Sequence, residues 1–196
     1  MKRWFVAAFS VLLFLFACSP EAEKEDAIIN EASLTEYEKS LTELMGSPYF
    51  IYDLDIQNKD IDSLRLMIDY YENGEFVQTV SEFNTSLSEL EIEERVRALF
   101  MKRMINDSME WVTSIFTVNG NGAMRNEVEG TEELSSSAWG SVSLPITLDK
   151  GEKKIVASLI YSDQTEIAVY NTINTKEDLK KATNFEQVYI FSMKLE

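Results

Sequence analysis

Histidine is absent from this 196-residue chain. That removes imidazole acid–base catalysis, Ser-His-Asp and Cys-His nucleophile pairs, and histidine-bearing zinc centres. Cysteine occurs once, at Cys18, so no internal disulfide can form and core packing has to stabilise the fold by itself. Glycine (7) and proline (3) are scarce. The glycines compose no G-x-S-x-G, no phosphate-binding G-x-x-x-x-G-K and no G-x-G-x-x-G, and no S-x-x-K occurs. Basic residues are also short, 18 against 34 acids for a net charge of −16. That balance argues against nucleic acid, which needs clustered Lys and Arg, and against flat adsorption on anionic headgroups.

What the chain does have begins at its N-terminus. Lys2 and Arg3 precede an uncharged run, Trp4 to Ala17. A basic start, a short apolar stretch and a small residue before the cut predict a signal peptide over 1–17. At ~1.5 Å per residue the run reaches roughly 20 Å, short of a hydrocarbon core of about 30 Å. Leu15-Phe16-Ala17-Cys18 resembles the lipobox of bacterial lipoproteins. The resemblance implies cleavage before Cys18, acylation of its thiol and new amine, and a membrane-lipid partner at the extracytoplasmic face of the cell membrane. Two or more chains at ~0.8 kcal/mol per buried methylene give stable anchoring. The alternative is an ordinary signal, or an uncleaved anchor, with a chance cysteine. Cleavage removes Lys2 and Arg3 and no acid, which leaves 16 basic against 34 acidic residues, a net −18.

Residues 18–33, which contain SPEAEKEDAIINEAS, predict a lipidated cysteine followed by an acidic flexible tether. One globular domain is expected over 34–196. Its helix, 34–46, would start on an S-x-x-E box, Ser33 with Glu36, and stop at Gly46. Leu34, Tyr37, Leu41 and Leu44 would then share one face, expected to pack on the domain.

Strand patterns fill 49–196. Phe50, Tyr52, Leu54 and Ile56 alternate with polar neighbours. Ser63–Tyr71 and Phe76–Phe83 flank Asn73-Gly74, the strongest short hairpin cue. A two-residue turn would set Arg65 opposite Glu82. Leu87–Met104 reads as helix by propensity, capped by Ser88 with Glu91, and as strand from Arg95 by architecture; strand is favoured. Asn106-Asp107-Ser108 should turn, and Glu110–Val118 should be a strand. Asn119–Ala138, with three glycines and three consecutive serines, predicts a disordered or binding loop. Val142 to Leu148 alternates strictly around Pro145, an edge strand or bulge. Lys154–Tyr161 should be a central strand, Ile167–Tyr170 a short one, and Thr175 with Asp178 should cap a small helix. Phe185–Leu195 closes the chain as a strand. Seven or eight short strands predict an immunoglobulin-like antiparallel β-sandwich with one N-terminal helix and one short helix near the C-terminus; the alternative is α+β.

Candidate chemistry is thin. Asp53, Asp55, Asp60 and Asp62 cluster in DLDIQNKDID, but no glycine or closing Glu completes a calcium loop, so solvated carboxylates are expected. No metal, no cofactor and no catalytic set is assigned. Tyr71 and Phe76 on the hairpin, with Met124 and Trp139, form the expected binding surface for an envelope protein or a glycan. With its anchor, its Tyr-Glu-Asn-Gly-Glu hairpin and its β-rich remainder, the chain resembles small envelope lipoproteins of Gram-positive bacteria. The expectation is a non-enzymatic binding module, or else an accessory or regulatory subunit of a membrane complex. A carboxylate-pair hydrolase is a third class that 34 acids always permit.

Overall fold

The computed structural model describes residues 25–45, 48–87, 95–105, 108–128 and 134–196. In chain order the elements are β1 (Ala27–Glu31), α1 (Glu36–Met45), β2 (Tyr49–Ile56), β3 (Ser63–Glu72), β4 (Glu75–Ser86), β5 (Val96–Ile105) and β6 (Ser108–Thr117). Then follow β7 (Gly120–Val128), β8 (Ser136–Ser141), β9 (Ile146–Leu148), β10 (Lys153–Ser162), α2 (Lys176–Ala182) and β11 (Gln187–Leu195). The protein is mainly β. One sheet runs β7-β6-β5-β2-β1-β9 and the other β4-β3-β11-β10-β8, and every strand pairing within them is antiparallel. The described residues thus carry eleven strands, more than the seven or eight expected.

Period-2 alternation builds the core. Phe50, Tyr52 and Leu54 of β2, Val96, Ala98 and Phe100 of β5 and Trp111 and Ile115 of β6 are buried from one sheet. Leu64, Leu66 and Ile68 of β3 and Tyr189, Phe191, Met193 and Leu195 of β11 meet them from the other. Trp111 stands 4.7 Å from Tyr189 and Phe50 stands 4.8 Å from Phe191, centroid to centroid, so rings from both sheets interlock. Each fully buried aromatic contributes roughly 2 kcal/mol through apolar burial.

At the hairpin, Asn73 (φ 51°) and Gly74 (φ 86°) supply the two positive φ values of a type I′ turn. The expected register holds for Glu72↔Glu75 and Tyr71↔Phe76 and then slips twice. Val77 and Val80 are extra residues in β4, so Arg65 faces Asn84 rather than Glu82. Its guanidinium still reaches Glu82 diagonally, at 3.0 Å, and Glu196 at 2.7 Å.

Several expectations need correction. The tether assigned to 18–33 ends early: Ala27–Glu31 is a strand paired with β2 on one side and β9 on the other, with Ala27 and Ile29 fully buried. Five residues suffice for a strand when both edges are hydrogen-bonded. Asp26 fixes its start, accepting from the Lys150 N–H at 2.7 Å and from Asn58 Nδ2 at 2.5 Å. The cap of α1 is Thr35 with Glu38, not Ser33 with Glu36: the Glu38 N–H donates to Thr35 Oγ1 at 3.2 Å, and the Thr35 N–H donates to Glu38 Oε2 at 2.7 Å. The expected stop at Gly46 lies outside the described residues, as do the capping pair Ser88 and Glu91 and the turn residues Asn106 and Asp107.

The helix also turns the opposite way. Tyr37, Leu41 and Leu44 are 73%, 44% and 83% exposed, while Thr42 is buried. Arg97, projecting from the outer face of β5, binds Glu38 at 2.8 Å and so draws the polar side of α1 onto the sheet.

The stretch 119–138 is largely strand. β7 pairs with β6 along its whole length, and β8 begins at Ser136. An edge strand needs one partner and one covered face, so its polar composition is no obstacle; 129–133 lie outside the described residues. The alternating run 142–148 is no single strand. It leaves β8 in one sheet, crosses at a cis Leu144–Pro145 bond and enters β9 in the other. Ile167–Tyr170 forms no strand. It lies instead in a segment that covers the outer face of β10 and β11, where Ile167, Val169, Leu179 and Phe185 pack on Ile160, Val188 and Ile190. The strand expected from Arg95, the strands at Glu110–Val118, Lys154–Tyr161 and Phe185–Leu195, and the Thr175/Asp178 cap all form.

Candidate functional site

The outer face of the β4-β3-β11-β10-β8 sheet has two parts. Toward one end the covering segment closes it. Toward the other, between that segment and the crossover at 142–147, it opens into a cleft of about 890 Å³. β3 contributes Asp69 and Tyr71, which point outward because Leu66, Ile68 and Tyr70 point in. The segment between β9 and β10 brings Glu152, and β10 brings Lys153, Lys154 and Ile155. The covering segment adds Asn171, Ile173 and Asn174, and Ile190 of β11 forms apolar floor.

Asp69 sits at 4% exposure and is held on both oxygens. Thr79 Oγ1 donates to Oδ1 at 2.7 Å, and Lys153 Nζ bonds Oδ2 at 2.5 Å. A buried carboxylate with both oxygens paired is electrostatically satisfied and fixed in place. Lys154 pairs with Glu152 at 2.7 Å. Tyr71 forms part of the cleft wall, edge-to-face with Phe76 at 5.6 Å. Burial first, and the Asp69 charge second, push the Tyr71 phenol up, so it stays a neutral hydroxyl at physiological pH.

Of the expected binding residues, Tyr71 and Phe76 come together here, with Phe76 56% exposed beside the cleft. Met124 and Trp139 do not join them. Met124 is on β7, the edge of the other sheet, where β7 packs against β4. Trp139 is on β8, at the far edge from β4, and shares the inward row of Leu159 and Tyr189. Cys18 lies outside the described residues. Among the four clustered aspartates, Asp53 is bound by Arg97 at 2.7 Å and Asp62 faces Lys150 at 3.7 Å. Among the described residues no three His, Cys, Asp or Glu side chains come together as a metal site would require. No helix among them is long and apolar enough to cross a membrane.

Reasoning from sequence missed Asp69, Lys153 and the 171–176 wall. Asp69 alternates correctly as a solvent-facing strand residue, and only the distant 171–176 segment makes it the floor of a cleft. The one usable signal was Tyr71, an aromatic on the polar face of the hairpin.

No curated protein and no solved structure matches the chain. The YgaN domain matches residues 28–195, from the second residue of β1 to the last of β11. The cleft and both sheets therefore fall within one family unit, and the chain belongs to the YgaN domain family.

Proposed function

We propose that this protein is a lipoprotein, anchored through acylated Cys18 at the extracytoplasmic face of the membrane, that works as a non-enzymatic binding module with its ligand seat in the 890 Å³ cleft. The observation that carries it is the cleft itself: a concave surface with a fixed, internally neutralised Asp69–Lys153 pair at its floor and Tyr71 on its wall. A carboxylate already bound by a lysine and a threonine orients a ligand by accepting hydrogen bonds and is poorly placed to act as an acid or base. The finer architectural reading, an immunoglobulin-like sandwich, belongs to the same proposal, since such two-sheet domains act as rigid frames for surfaces.

The test places a photo-reactive residue at position 76, and at position 118 as a control, in the full chain in intact cells. Wild type and Cys18→Ala are run together with intact masses recorded. Capture from position 76 in excess of position 118 supports the cleft as the ligand seat. Equal capture, or none, overturns it. A wild-type mass that retains Met1–Ala17 without acyl chains overturns the anchor.

A second function, accessory subunit of a membrane complex, is favoured by α1. Its apolar face, Tyr37, Leu41 and Leu44, is exposed. With β1 starting at Ala27, the nine residues from Cys18 to Asp26, eight Cα-to-Cα steps, span at most roughly 28 Å at full extension. That keeps the domain within reach of the membrane, where the exposed face of α1 can meet the extracytoplasmic part of an integral protein. Leu44→Glu would then abolish co-purification with that protein and leave capture at position 76 unchanged.

A further inference from the structure

We propose that the cleft takes an uncharged oligosaccharide, with a sugar ring stacked on Tyr71 and its hydroxyls bonded across to Asp69, Lys153, Asn171 and Asn174; this rests on the cleft being the ligand seat and names what it seats. Charge decides between ligand classes first. Two acids and three lysines line the cleft, in a chain of net charge −16. Asp69 neutralises Lys153 and Glu152 neutralises Lys154, which leaves only rim-exposed Lys176 in excess. A polyanion needs several unpaired cations, and a cationic ligand needs unpaired acids. Neither is offered, so the cleft suits a polar, neutral ligand.

Surface chemistry decides second. A sugar ring has an apolar C–H face and a rim of hydroxyls that both donate and accept. The complementary site needs an aromatic face beside mixed donors and acceptors fixed in position. Tyr71 provides the face, and Phe76 at 5.6 Å holds its ring edge-to-face. Asp69 accepts, Lys153 donates and the two asparagines do both. The mutual bonds of Asp69, Thr79 and Lys153 fix these groups before ligand arrives, which lowers the entropy cost of binding.

The test is calorimetric titration of the full chain in detergent micelles with three probes: an N-acetylglucosamine tetramer, a glucose tetramer and a glycerol-phosphate polymer. Tyr71→Leu and Asn174→Ala are compared with wild type, and Phe116→Ala on the other sheet is the control. One neutral tetramer is expected to bind with Kd of roughly 10 μM to 1 mM, Tyr71→Leu to weaken it about fivefold or more, and Phe116→Ala to leave it unchanged. If Tyr71→Leu fails to fold, Asn174→Ala on the covering segment takes its place, with an expected loss of about threefold or more. Smaller losses, no binding of either neutral tetramer, or tighter binding of the phosphate polymer overturn the assignment. If the sugars fail while position 76 still captures a protein, the ligand class falls and the seat stands. If both fail, both fall.

Discussion

The hydroxyl of Tyr52 donates to the carbonyl oxygen of Val156 at 2.9 Å and so ties the two sheets together through the core. Its single proton is used there, so the 2.8 Å contact with Ser141 Oγ has the serine donating. Tyr52 is 1% exposed, and burial holds its phenol well above its ordinary range. Tyr52→Phe should cost about 1 kcal/mol, because Val156 keeps the Val142 N–H at 2.9 Å and is not orphaned. Urea denaturation should show a lower midpoint with an unchanged slope. An unchanged midpoint would mean the bond between the sheets is energetically idle.

Arg97 joins Asp53 at 2.7 Å, Glu38 at 2.8 Å and the Ser33 carbonyl at 3.2 Å, and so fastens α1 to the sheet. Arg97→Ala leaves the largely buried Asp53 without its cation, with only the Ser33 N–H at 3.2 Å still donating to it. The expected loss is about 2 kcal/mol, below the range for fully buried pairs because some water reaches both groups. Hydrogen exchange should accelerate across 36–45 and stay slow in β11; uniform acceleration would show that the helix is not a separately docked unit.

Acid should weaken the fold below about pH 4. Burial raises the Asp53 carboxyl, but the bonds from Arg97 and the Ser33 N–H, with the charges of Arg97 and Arg95, outweigh it and hold it low. Bonds from Lys194 and Arg65 hold Glu196 low, and those from Lys150 and Asn58 hold Asp26 low. A carboxyl with a depressed folded pKa stabilises fully above its unfolded value of about 4 and loses that contribution as pH falls through the folded one. The urea midpoint should stay nearly level from pH 7 to 5 and drop below 4. A fall beginning at pH 6 would contradict this set of groups.

A Cβ on Gly122 would stand 2.7 Å from Phe83 Cζ, so the Phe83 ring has to shift to admit a side chain there. Gly122→Ala should cost about 1–2 kcal/mol through overpacking where β7 crosses β4. The double variant with Phe83→Leu should recover most of it in a mutant cycle. Equal losses with and without Phe83→Leu would place the strain elsewhere.

The parts of the fold readable from sequence were those whose signal is local. Asn73-Gly74 specifies its turn by backbone preference, and β2, β3 and β11 specify their buried faces by alternation. The bulges at Val77 and Val80 left no local mark, because valine suits any strand position. β1 was hidden by acidic neighbours: AIINE forms a strand only because β2 and β9 bond both of its edges. The face of α1 was misassigned because an amphipathic pattern does not say which side meets the domain: Glu38 turns toward Arg97, and Tyr37, Leu41 and Leu44 stay exposed. The cleft depends on residues 69, 153 and 171–176 meeting across the fold, which no window of sequence contains.

β1 is bonded to β2 and β9 along both edges, and the chain emerges from it toward Cys18. Tension applied through that end runs along the strand axis, so the ladder bonds on both sides are strained together and not unzipped one at a time. The Asp26 bonds to Lys150 and Asn58 take the load first. A domain hung in this way yields at high force and then abruptly, and single-molecule pulling from residue 25 should register one abrupt rupture and not a series of small ones.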